Sequence, residues 1–164
     1  MASMNHAPVP VRIVPGARVL VVEARYYEDL SNALLDGASK ALQHAQVEYN
    51  VLTVSGALEI PSMIAIALDA AEKAGKPYDA AVALGTVIRG ETTHYDLVSE
   101  ESCRGIMNLT VDRKFPIGNG IITVENDEQA WDRASPERQD KGGGAARAAL
   151  LVLAIKRDLE KAGV

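Results

Sequence analysis

Two hydrophobic rhythms alternate along this chain. Arg18-Val19-Leu20-Val21-Val22-Glu23 and Ala80 to Leu84 are short, nearly unbroken apolar runs, the pattern of strands covered on both faces of a parallel sheet. Val47 to Val54 alternates into a further strand, and Ile117 to Val124 supplies the fourth. Between them the spacing changes to three and four residues. From Leu30, the positions Ala33, Leu34, Gly37, Ala38, Ala41, Leu42 and Ala45 mark one helical face. Ile60 to Ala74 predicts a helix with Pro61 in its first turn and Gly75 closing it. Thr92 or Thr93 followed by Asp96 is a capping signal for a helix running to about Thr110. Asp127 to Arg133 predicts a short helix and Gly142 to Lys161 a long one.

The predicted order is β-α-β-α-β-α-β-α-α, with no hairpin-length connection between strands. Crossovers are therefore expected to be right-handed and the sheet parallel, a three-layer α/β/α sandwich on four strands. In such sheets ligands bind beyond the carboxyl ends of the strands. Four segments fall there: Ala24 to Tyr27, Ser55 to Glu59, Gly85 to His94, and Glu125 onward. Residues 1–16 are Pro-rich and read as an extended N-terminal arm, in which Val9 to Val14 suits pairing on the edge of another sheet. Residues 17–164 read as a single domain.

Composition narrows the picture. At 164 residues and 48% hydrophobic, the chain can bury a core without metal or disulfide staples, and its single Cys103 agrees. No apolar run approaches a membrane span. The net charge of −5, with Lys and Arg dispersed among carboxylates, argues against nucleic-acid binding. Pro8, Pro10 and Pro15 interrupt an N-terminus that does not resemble a signal peptide, so a reducing cytoplasm is the expected location. No His, Cys or carboxylate grouping has metal-ligand spacing, and no metal is expected.

The segment Gly85-Thr86-Val87-Ile88-Arg89-Gly90-Glu91-Thr92-Thr93-His94 carries the most chemistry. Its glycines admit close backbone approach and the following helix start suits an anion. Glu91 stands where a nucleotide loop has its lysine, so the candidate anion is a single phosphate held by backbone N–H groups and Thr92; the alternative is an ordinary strand-to-helix turn. His94, at the helix start, is a candidate proton carrier or a structural histidine. Glu59 either complements a helix dipole or accepts hydroxyl groups of a polyol. Tyr26 or Tyr27, in a chain with seven aromatic residues, offers a ring to a flat heterocycle or covers a helix end. Arg133 is suited to a phosphate. Gly142-Gly143-Gly144 lacks a dinucleotide fingerprint and reads as a close-packing helix start.

Taken together, Gly56 to Pro61, Gly85 to Asp96, Gly120 to Ala130, Arg133 and Lys141-Gly142 resemble the 6,7-dimethyl-8-ribityllumazine synthase family, over about Arg18 to Leu159. The resemblance implies a flavodoxin-like fold and the penultimate step of riboflavin synthesis, without a cofactor. In that step 5-amino-6-ribitylaminouracil condenses with 3,4-dihydroxy-2-butanone 4-phosphate. It further implies that His94 shuttles protons, that Glu91, Thr92 and Arg133 hold the phosphate, and that Tyr26 stacks on the pyrimidine. Ala57, Leu58 and Glu59 would hold the ribityl chain, with the Thr86, Val87 and Ile88 backbone and Lys141 near the uracil edge. Two departures stand out. Asn119 occupies a position where most members supply an aromatic ring to the neighbouring subunit, and Ala134 to Asp140 lacks the Gly-Lys-rich turn of shell-forming members. A homopentamer with sites at subunit boundaries is therefore expected in place of a capsid. The competing function is a protein that sequesters a lumazine or flavin without making it, but such a protein needs no phosphate site. A plain signalling domain would need an acidic cluster at the end of strand one, which is absent.

Overall fold

The computed structural model describes residues 7–163. Its elements, in order, are β1 (Arg18–Ala24), α1 (Glu28–His44), β2 (Glu48–Val54), a 3-10 turn (Ala57–Glu59), α2 (Ile60–Lys73), β3 (Ala80–Ile88), α3 (His94–Asp112), β4 (Ile117–Val124), α4 (Asp127–Ala134) and α5 (Lys141–Ala162). All pairings are parallel and the strand order is β2-β1-β3-β4. Chain order reverses between β1 and β3, which opens a crevice at their carboxyl ends.

Strand alternation divides the core into two layers. Val19 and Val21 of β1, Val82 and Leu84 of β3, and Ile122 and Val124 of β4 pack under α1, α4 and α5. Leu20 and Val22, Ala81 and Ala83, and Ile121 pack under α2 and α3. This is the expected three-layer sandwich, and the apolar runs are explained by burial on both faces.

Two glycines set how closely the layers approach. A Cβ on Gly142 would overlap the Leu34 carbonyl of α1, and one on Gly118 would overlap the Ala145 carbonyl of α5. Within the glycine run at the start of α5, Gly142 thus serves the close packing that the sequence suggests, whereas Gly144 has room around it. The α5 start is fixed by Asp140, whose Oδ1 accepts the Gly143 N–H at 3.1 Å and whose Oδ2 pairs with Arg147 at 3.2 Å.

Three details differ from the sequence reading. β3 continues through Gly85 to Ile88, because these residues find ladder partners in Ile121 to Val124 of β4. Thr93 occupies the cap position of α3 without a side-chain bond; Thr92 Oγ1 accepts the His94 N–H at 3.3 Å, and Asp96 pairs with Arg89 at 3.6 Å. α1 begins at Glu28, two residues before the first apolar position. Residues 7–14 form no strand with this chain's own sheet. Val14 is nonetheless buried, its N–H donating to Ala45 O at 3.2 Å, while β2 lies at a sheet edge with Val51 and Leu52 exposed.

Among the described residues no helix is long and apolar enough to cross a membrane, and no cluster of His, Cys, Asp or Glu could hold a metal ion.

Candidate active site

β1 pairs with β3 only as far as Leu84, whereas β4 follows β3 to Ile88. The last residues of β3 therefore project beyond β1, and their backbone groups on that side have no ladder partner. A buried backbone group without a partner is costly, so such an edge is suited to a hydrogen-bonding ligand. It forms one wall of a cleft of about 480 Å³.

The other walls come from the three loops at the same sheet end. Tyr26 and Tyr27 descend from β1, their rings 5.0 Å apart and nearly edge to face at 70°. Tyr27 is half buried, and that burial, with Tyr26 and Asp127 nearby, raises its phenol above the ordinary value. Ser55 to Glu59 follow β2, where the 3-10 turn leads into α2. Ala57 is buried against the core, which leaves Leu58 and Glu59 exposed at the rim. Ser62 Oγ donates to the Glu59 carbonyl, and the Glu59 carboxylate takes part in no ion pair within the described residues.

Gly90, Thr92 and His94 close the cleft beyond β3. His94 is the first residue of α3 and is exposed; its ring makes no hydrogen bond to the described residues, so both nitrogens can exchange protons with a bound molecule. Arg89 is turned away from this chemistry. Its Nε donates to Glu125 at 2.7 Å, Asp96 lies within 3.6 Å, and the guanidinium stacks over Tyr95 at 4.2 Å. The bond to Glu125 is the main cause that raises the Arg89 pKa.

Of the residues singled out from sequence, Tyr26, Ala57, Leu58, Glu59, Thr86, Val87, Ile88, Thr92 and His94 line this cleft. Glu91 is exposed beside it and outside its lining. By strand alternation Thr86 presents its side chain to the same layer as Leu84 and Ile88, so it meets the cleft through its backbone. Val98, one turn beyond His94 on α3, also lines the cleft; its spacing of four from His94 was the available signal.

Arg133, Lys141 and Asn119 are not brought to this cleft. They line a second, polar depression of about 200 Å³ with Gly120 to Thr123. Arg133 sits in the last turn of α4, whose start is held by reciprocal bonds. Asn126 Oδ1 accepts the Gln129 N–H and Gln129 Oε1 accepts the Glu125 N–H, each at 2.9 Å. Its Nη1 donates to the Gln129 carbonyl at 3.2 Å, and no carboxylate pairs with it among the described residues. Lys141 opens α5 and is exposed. Asn119 folds back onto its own chain: Oδ1 accepts the Ile121 N–H at 3.0 Å and Nδ2 lies 3.3 Å from Cys103 Sγ.

The arrangement is an apolar and aromatic cleft with an exposed backbone edge and an imidazole unpaired among the described residues, and, separate from it on the same chain, a polar depression lined by Arg133 and Lys141. Comparison with known proteins places the chain in a family. The family model for 6,7-dimethyl-8-ribityllumazine synthase matches residues 16–157. A protein named 6,7-dimethyl-8-ribityllumazine synthase 1 from Rhodopseudomonas palustris is 61% identical over 163 residues, covering 99% of this chain and 100% of its own length. A 6,7-dimethyl-8-ribityllumazine synthase from Nitrobacter hamburgensis is 60% identical with the same coverage. Another from Agrobacterium fabrum is 58% identical over 141 residues, 86% of this chain and 95% of its own. With the sandwich, the cleft and a match that spans most of the sequence in agreement, the chain belongs to the 6,7-dimethyl-8-ribityllumazine synthase family.

Proposed function

We propose that this protein condenses 5-amino-6-ribitylaminouracil with 3,4-dihydroxy-2-butanone 4-phosphate to 6,7-dimethyl-8-ribityllumazine. The amine condenses with the ketone and releases water, phosphate is eliminated, and ring closure releases a second water. The observation that carries this reading is the free His94 imidazole on the cleft shared by Tyr26, Glu59 and the unpaired edge of β3.

In this reading Tyr26 stacks on the pyrimidine, the Thr86 to Ile88 backbone bonds its edge, and Ala57, Leu58 and Glu59 hold the ribityl chain. Thr92, with Glu91 beside it, faces the phosphate from the cleft. Arg133, Lys141 and Asn119 act from a neighbouring subunit, whose polar depression completes the cleft across the boundary. That division supports a homopentamer, with an N-terminal arm, of which residues 1–6 lie outside the described residues, whose Val9 to Val14 segment pairs with the edge of a neighbour's sheet. The partners are these small molecules and further copies of the chain, in the cytoplasm.

Holding two substrates in register can lower a barrier by ~7–11 kcal/mol, while a positioned proton carrier supplies roughly 10²–10⁴-fold. Purified protein mixed with both substrates is expected to develop the lumazine absorbance. Binding of the lumazine without its formation would replace the reading by a sequestering function.

A further inference from the structure

Among the described residues, the one buried carboxylate at the carboxyl end of the sheet is outside the lining of the cleft. Glu23, the penultimate residue of β1, is 3% exposed. Its oxygens accept two bonds from Arg25 Nη1, at 3.0 and 3.2 Å, and one from Thr53 Oγ1 of β2 at 3.0 Å. The other arm of Arg25 turns to α1. Nη2 donates to Asn32 Oδ1 and to the Glu28 carbonyl at 3.4 Å, and lies 3.7 Å from the Glu28 carboxylate. Glu23 thus ties β1 to β2 through Thr53, and the Arg25 guanidinium ties Glu23 to the first two turns of α1.

Tyr26 is the residue held between these ties. It is 76% exposed and makes no side-chain hydrogen bond among the described residues; its ring meets that of Tyr27 nearly edge to face. The Tyr27 carbonyl in turn accepts the Ser31 N–H at 2.9 Å and hydroxyl at 2.8 Å. An exposed ring on a short loop has no packing of its own to set its direction. A buried ion pair, for its part, yields little stability that an apolar pair of similar volume would not. What the pair does supply is direction, because a planar fork with fixed donors holds its partners at set angles.

We propose that Glu23 and Arg25 are positioning residues that fix the Tyr26 ring for stacking, and so set affinity for the flat heterocycle. The inference rests on the reading of Tyr26 as the stacking ring. Arg25→Lys keeps the charge and loses the fork. It is expected to weaken binding of 6,7-dimethyl-8-ribityllumazine, followed by fluorescence, by about three- to tenfold, close to the loss from Tyr26→Ala. In the double variant the two losses should not multiply, since the second change has nothing left to misdirect. The KM for the pyrimidine rises and inhibition by inorganic phosphate is unchanged.

An Arg25→Lys variant with unchanged lumazine affinity, losses that multiply in the double variant, or phosphate and lumazine weakened together would overturn the proposal. Should Arg25→Lys not fold, Thr53→Val withdraws one bond and leaves the ion pair. A loss of about twofold that vanishes on the Tyr26→Ala background supports the proposal, and no loss, or one that persists there, overturns it. A wild type that binds no lumazine overturns the functional reading itself, whereas a binding wild type with an indifferent Arg25→Lys overturns the clamp alone.

Discussion

His94 and Arg133 open into different concavities of the same chain: His94 into the cleft at the start of α3, Arg133 into the polar depression between α4 and β4. On the proposed reading, the proton carrier and the guanidinium for the phosphate are thereby separated within one subunit. The expected effects of substitution separate in the same way.

His94→Ala should fold as the parent does, since the ring makes no hydrogen bond to lose, and slow the condensation by roughly 10–10⁴-fold. Steady-state rates at saturating substrates, with circular dichroism as the folding check, decide it. An unchanged turnover number would leave His94 a helix-start residue only.

Arg133→Ala should raise the KM of the phosphorylated butanone by about 10–100-fold, the worth of a charged hydrogen bond, and leave that of the pyrimidine in place. Both constants rising together would make Arg133 a support of α4 or of a subunit contact.

Light scattering or sedimentation should give a mass near five copies of the 17.5 kDa chain. A stable monomer, or a particle of several dozen chains, contradicts the ring.

Asn119→Phe should tighten ribityllumazine binding by up to about tenfold, as an added ring stacks against the heterocycle across the boundary. The substitution also frees the Ile121 N–H that Asn119 now holds. Fluorescence titration of both proteins decides; equal or weaker binding assigns Asn119 to its bonds with Ile121 and Cys103.

Gly142→Ala should cost about 1–3 kcal/mol, because its methyl group meets the Leu34 carbonyl and the helices must part. Gly144→Ala, whose nearest neighbour is the Arg147 Nη2 at 3.9 Å, should be stabilising by about 0.5–1 kcal/mol through helix propensity. Urea unfolding midpoints of the two variants test the contrast.

The layers were legible because burial on both faces leaves apolar runs that no other arrangement requires. The continuation of β3 was not, since Gly85 and Thr86 look like a turn until Ile121 and Ile122 are seen beside them. The residues of the cleft were legible as loops at one sheet end. Their separation from Arg133, Lys141 and Asn119 was not, because positions in the sequence do not say which concavity a side chain enters. Glu23 and Arg25 did leave a signal: two opposite charges two residues apart share a face as an apolar strand ends.

If, as proposed, each site joins the cleft of one chain to the depression of the next, the division has a genetic consequence. Two defective proteins, one lacking the His94 ring and one lacking the Arg133 guanidinium, would each be impaired alone. Mixed during assembly, they would create boundaries where an intact cleft meets an intact depression, about a quarter of all boundaries in a randomly mixed ring. Neither polypeptide is repaired, yet activity returns, so in a cell carrying both alleles the unit of function is the seam between chains.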